Sequence, residues 1–363
     1  MKSSQLFRSL ALLGALAGAS SMAHAASWNE CGDQKVKWGS NSITLRSSSV
    51  GFPAGSSWLS ALSTAVARVN DNPSPFNFSL SSGDTSVGFD NGQNEIWFSS
   101  DSAYSPAVTY TWSTCYWLFG YHASIDETDI VFYNGTAYTT STTPTALWPY
   151  GGSSRPIQTT AIHEIGHALG LNHVNTEYNI MGQDWTHIHA NGGVARAYFG
   201  EDASSGAVSL YGLGSGEDVA LTQWKYLGAS GEYSTHQRTK LYNTSGVELS
   251  GTSFEGARRY AVNKGQTVQF ELSAENNGAN TQTADLGFYV STNDLISTAD
   301  TLIGTGSLTL SRDGVHTFKV NLVIPNNLVS GTNYWLGAVI DRSGAIGEIS
   351  EANNATYIPI RVN

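Results

Sequence analysis

The chain has 363 residues, with 29 acidic and 18 basic side chains and a formal charge of −11. Only 13% of its residues are charged, about half the share of an average soluble protein. An acidic, lysine-poor surface with no basic run excludes nucleic acid and anionic membranes as partners. Lys2 and Arg8 make a basic start, Leu10 to Ala17 is apolar, and Ala23-His24-Ala25 is a small-x-small cleavage site. Residues 1–25 therefore read as an export signal, with the mature chain starting at Ala26 or Ser27. Its removal takes away two cations and no acid, which moves the charge from −11 to −13. The apolar run is too short to span a bilayer and nothing later qualifies. A secreted protein, extracellular or periplasmic and monomeric, is expected.

Two cysteines remain in the mature chain, Cys31 and Cys115. In an oxidising compartment the default is one disulfide between them. The alternative is a latency switch, in which Cys31-Gly32 occupies a metal; no propeptide-sized segment precedes that pair. Alternation over Ser42–Ser47 predicts a strand. Ser56 or Ser57 caps a helix through Trp58, Leu62, Ala65, Val66 and Val69, which ends at Asn72-Pro73. Phe76–Leu80, Glu95–Phe98, Val108–Trp112 and Ile130–Tyr133 are further strands. His122, Asp126, Glu127 and Asp129 are either a second ion site or a solvated acidic turn.

The decisive passage is His163-Glu164-Ile165-Gly166-His167-Ala168-Leu169-Gly170-Leu171-Asn172-His173. Positions i and i+4 lie one above the other on a helix, so His163 and His167 present two ring nitrogens to one ion. Glu164 sits on the adjoining edge, in reach of a water on that ion. Gly170 ends the helix, because glycine enters the left-handed conformation without penalty, and His173 returns as a third ligand. Three protein nitrogens leave the fourth zinc position open, as a catalytic site requires. Ser153 and Ser154 offer capping hydroxyls, Pro156 fits a first turn, and Ile162, Ile165 and Leu169 form a buried stripe.

With that motif, residues 28–214 resemble the metzincin metallopeptidases, most closely the matrixin-like branch, whose signature is His-Glu-x-x-His-x-x-Gly-x-x-His. Tyr178-Asn179-Ile180-Met181-Gly182 is similar to the family's Met-turn, which implies Met181 as an apolar floor below the imidazoles. Glu201-Asp202 leading to Val208–Gly212 resembles the closing helix. The resemblance implies an α+β domain, a twisted and mostly parallel sheet with the zinc helix, and an edge strand near Val108–Phe119 beside the cleft. It also implies one catalytic zinc on His163, His167 and His173, with Glu164 as general base. Two departures stand out. Val174 follows the third histidine where matrixins usually carry serine. Gln183 stands where astacin- and serralysin-like enzymes place a tyrosine.

His187-Ile188-His189 also suggests a metal, since the two rings share a face if the segment is extended. No further ligand is evident nearby, so the pair reads as pocket wall or packing. Gly212–Gly216 reads as a short flexible linker and the domain boundary. Beyond it, Val268–Leu272, Leu286–Val290, Thr317–Ile324 and Tyr334–Ile340 are strand-like runs between turn clusters, which predicts an all-β Ig-like sandwich over residues 217–363. The passage from Tyr334 to Asn354 resembles the adhesion-related, CARDB-like modules of bacterial secreted proteins. Gly228 to Gly256 is turn-rich. Asp294, Asp300, Glu348 and Glu351 are candidate calcium ligands but lack calcium-loop spacing, and read as solvated loop acids.

The function expected is a secreted zinc endopeptidase acting on a protein or peptide. One alternative is an adhesin that uses the zinc domain as scaffold, its C-terminal module binding a surface. Another is a zinc amidase or glycoprotein-directed protease, for which ten tryptophans and seventeen tyrosines would suit sugar contacts.

Overall fold

A computed structural model describes residues 26–175, 178–182, 187–225 and 238–363. The expected export signal at 1–25, Gln183 and part of the turn-rich 228–256 stretch lie outside the described residues. Two main apolar cores form, one from residues between Cys31 and Tyr211, the other between Val219 and Val362. No helix among the described residues is long and apolar enough to cross a membrane.

The first core lies between a five-stranded sheet and three helices. Strand β1, Ser42–Ser48, buries Leu45 and Ser47 while Thr44 and Arg46 face out, the alternation that a half-buried strand requires. Helix α1, Ser57–Asn70, starts where the Ser56 hydroxyl accepts from Leu59 N at 3.1 Å. Its Ala61, Leu62, Ala65, Val66 and Val69 form one buried stripe, packed on the metal-motif helix. Strand β2 is Asn77–Asp84, β3 Glu95–Ser99, β4 Ala107–Trp117 and β5 Tyr121–Tyr133. The order is β2-β1-β3-β5-β4, with every pair parallel except β4 on β5, which leaves β4 at the edge. Cys31 and Cys115 are disulfide-bonded across 84 residues of chain, tying the N-terminal segment to β4. A bonded Cys31 closes the latency alternative.

His122, Asp126, Glu127 and Asp129 lie within β5, not in a turn before it. Glu127 and Asp129 are buried, accepting from Asn91 N, Gly92 N and Glu95 N. They are neither solvated nor grouped with His122, which faces solvent.

Helix α2, Ile157–Leu169, begins at Pro156 without a side-chain cap. The expected serine caps are absent because the cap position falls on Pro156, two and three residues past Ser154 and Ser153. A hairpin of β6 (Ile188–Asn191) and β7 (Val194–Ala197) follows, then α3 (Glu201–Tyr211).

The second core is a two-sheet sandwich. Strand β8 is Val219–Thr222, β9 Leu241–Asn243, β10 Gly251–Phe254, β11 Ala257–Val262 and β12 Thr267–Asn276. They are followed by β13 (Gln282–Ser291), β14 (Thr301–Leu310), β15 (Val315–Val323), β16 (Asn333–Ile340) and β17 (Ala355–Val362). One sheet has β12 between β15 on one side and β8 and β9 on the other. The other runs β10-β11-β17-β16-β13-β14, antiparallel except for β11 on β17. The molecule as a whole is β-rich, with three α-helices among the described residues.

The Gly212–Gly216 segment is docked, not a free linker. Gly214 N donates to Pro73 O, and Ala279 N donates to Gly216 O. The domains also meet through Arg238, which reaches Pro149 O at 2.6 Å and stacks on Tyr150 and Trp224.

Candidate active site

Helix α2 carries the first two imidazoles, and Gly170 sets up the third. With φ at +108°, Gly170 lets Leu171 N reach back to Gly166 O at 3.0 Å, so the chain reverses and brings in His173. The three Nε2 atoms lie 3.0 to 3.1 Å apart. His163 Nδ1 is 2.7 Å from Ile180 O, and His167 Nδ1 is 2.7 Å from Leu171 O. A carbonyl can only accept, so each Nδ1 carries the proton and each Nε2 is a bare lone pair. Lone pairs this close repel unless a cation lies among them. A tetrahedron with bonds of about 2.0 Å separates its donors by roughly 3.3 Å, so the trio fits zinc.

Protonation favours the same state. Burial holds His163 well below its ordinary value, and the neighbouring His167 adds to the effect. Burial, then His173, brings His167 down to about 4. Both rings are neutral at pH 7. Met181 is buried, with its sulfur against Gly166; a Cβ on Gly166 would lie 2.4 Å from that sulfur. The closeness of the Met-turn to the helix therefore requires glycine there. Ile180 O, in the same turn, orients His163, so the turn both floors and aligns the site.

Glu164 is 5% exposed. Burial raises its pKa to about 7, while Thr109 and the Arg155 charge pull it down. Thr109 Oγ1 donates to Glu164 Oε2 at 2.7 Å. Sequence reading missed Thr109 and Arg155, because both reach the motif through folding and no spacing links them to it. Beside these groups opens a cleft of about 490 Å³, lined by Ala107–Thr109, Thr111 and Ser113 of β4 and by the three histidines and Glu164. The edge strand thus forms one wall of the site. The calcium candidates Asp294, Asp300, Glu348 and Glu351 form no ligand group among the described residues. Glu348 is not simply solvated, since it accepts from Val219 N and Asn354 Nδ2.

Three convergent imidazoles, a buried glutamate beside them and an open cleft define a metallohydrolase-type centre. Residues 77–212 match the family described as Matrixin, Peptidase_M10, so this chain carries a matrixin-like, zinc metallopeptidase-type domain. No curated protein matches the chain. Among solved structures, the CARDB domain of a Pyrococcus furiosus protein, in complex with di-metal ions, is 13% identical. That likeness covers 41% of this chain and 90% of that one, with a TM-score of 0.25. A solution structure of the same CARDB domain is 17% identical over 28% and 84%, with a TM-score of 0.23. A Listeria innocua beta-glucosidase in complex with glucose is 10% identical over 38% and 18%, with a TM-score of 0.21.

Proposed function

We propose that this protein is an exported zinc endopeptidase that hydrolyses peptide bonds of extended protein segments. The observation that carries the reading is Glu164, a buried carboxylate poised near neutrality beside three converging imidazoles at an open edge strand. His163, His167 and His173 hold the zinc, which when bound supplies Lewis acidity toward water and the scissile carbonyl. Glu164 takes a proton from the attacking water and passes it to the departing amine nitrogen. Thr109 keeps the carboxylate oriented for both transfers. The free edge of β4 offers backbone donors and acceptors to a substrate that pairs as an added strand.

The test is cleavage of an unfolded protein by the mature chain, wild type beside Glu164→Ala, with zinc content recorded for both. Cleavage by the wild type alone, at equal zinc, is expected. Equal cleavage by the variant would remove Glu164 from the mechanism. Failure on protein with turnover of peptidoglycan or a glycoprotein would replace the endopeptidase reading with an amidase or a glycoprotein-directed one.

A further inference from the structure

Away from the cleft, one other set of ligating side chains converges among the described residues: His187, His189 and Glu275. His187 immediately precedes β6 and His189 lies within it, so alternation puts both rings on one face. Glu275 stands near the end of β12, in the other domain, where it pairs with Ala220 of β8. The three are 0%, 4% and 1% exposed, and each offers a ligand atom within 4.8 Å of the others.

His187 Nε2 lies 3.2 Å from Glu275 Oε2 and 3.3 Å from Oε1. His189 Nδ1 donates to Leu221 O at 2.7 Å, which fixes its tautomer and leaves Nε2 as a bare acceptor. That Nε2 has no hydrogen-bond partner among the described residues. An ion pair between His187 and Glu275 would account for two of the groups. It would leave the His189 lone pair buried without a donor, a loss a folded protein rarely accepts. One cation shared by both rings and the carboxylate gives the His189 lone pair a partner, while His187 Nδ1 stays buried without a hydrogen bond in either arrangement. The 3.2–3.3 Å separation is also close to the roughly 3.3 Å between donors around tetrahedral zinc.

Burial brings His189 down to about 4, so its ring is neutral at pH 7. Burial pushes Glu275 up, but the charge and hydrogen bond of His187 beside it hold it below its ordinary value. The surroundings keep the rings in place. Tyr178 stacks on His187 at 4.8 Å, and Tyr198 meets His189 edge-on at 5.0 Å. Gly200 leaves room for His187, since a Cβ there would lie 2.8 Å from the ring.

We propose that His187, His189 and Glu275 form a second, buried zinc site that clamps the C-terminal sandwich to the catalytic domain. Two imidazoles and one carboxylate are a zinc-type donor set. Tyr178 belongs to the same turn as Met181, so the clamp bears on the segment beneath the first centre. The proposal goes beyond the peptidase reading and does not depend on it.

The test is metal stoichiometry in the full mature chain, with Co²⁺ as the probe and its visible absorption and bound equivalents as the readouts. Wild type is expected to bind two equivalents, and His163→Ala/His167→Ala one, with the intense bands of a four-coordinate ion. Adding His189→Ala should abolish that equivalent. Adding Glu275→Gln, which keeps shape and so guards against misfolding, should weaken it by roughly tenfold or more, since even outer-shell losses reach that size. No bound equivalent in a folded His163→Ala/His167→Ala chain, or one untouched by Glu275→Gln, overturns the site. Loss of cleavage does not enter either readout.

Discussion

The two histidine clusters use similar donors in opposite settings. His163, His167 and His173 open on a cleft, with His173 exposed; His187, His189 and Glu275 are sealed between two domains. Around the first stand a buried carboxylate, Glu164, and an edge strand. Around the second there is only packing, and its ligands come from two different cores. On the two proposals, the same chemistry would serve turnover where solvent and substrate can enter, and cohesion where they cannot.

The sharpest way to break this contrast is one substitution made in both places. Glu164→Gln should lower kcat by about 10²–10⁴, the range for losing a general base, with bound metal and melting behaviour unchanged. Glu275→Gln should lower metal content and stability instead. Equal effects on kcat from the two variants would dissolve the distinction.

Next in size is the disulfide. Cys31→Ser/Cys115→Ser removes a bridge over 84 residues, worth about 4 kcal/mol in the chain-entropy model. Asn29 and Val36, either side of Cys31, line the open cleft. The loss should therefore fall on the catalytic domain, and denaturant unfolding should show it, while the interface cluster keeps its metal. A variant that lost both metals together would mean that the regions unfold as one.

The contrast also explains what could be read in the chain. The first cluster is written in eleven consecutive residues, where helical period and one glycine fix its geometry, so the convergence of its three histidines beside Glu164 was legible. Cys31 with Cys115 followed from compartment and count. Glu275 lies 86 positions beyond His189, on a strand whose place depends on the docking of two domains, so His187-Ile188-His189 looked like packing. Thr109 was hidden for the same reason. In the sandwich, β13 and β16 carry dense apolar runs and were found. Strand β14, Thr301–Leu310, is Gly- and Thr-rich with much of its surface exposed, and its pattern was too weak to register. The docked Gly212–Gly216 segment looked flexible because composition does not reveal Pro73 as its neighbour.

A smaller effect concerns metal removal. A chelator reaches the open site directly, but the buried one only through partial opening of the interface. Zinc release, followed with a chromogenic chelator, should show a fast equivalent and a slow one. Glu275→Gln should remove the slow phase and leave the fast one. A single phase of two equivalents would place both ions in equally accessible sites.

The domain junction itself can be broken through pH. Asp218 is 6% exposed, and its Oδ2 accepts from Asn277 Nδ2 and Asn353 Nδ2. Burial raises its pKa to about 7, against an ordinary 3.8, although both amides pull it down. A raised folded pKa means that the folded state binds the extra proton. Its contribution to stability is fully present below about pH 4 and is lost as pH rises through 7. The slope cannot exceed about 1.4 kcal/mol per pH unit for one group. Asp218→Asn keeps an oxygen for the two amides but does not titrate. Denaturant midpoints of wild type and variant, compared from pH 4 to 8, should therefore diverge, with the variant gaining relative stability at the upper end. A constant difference would mean that Asp218 does not change its protonation on folding, and that the junction holds an ionised carboxylate throughout.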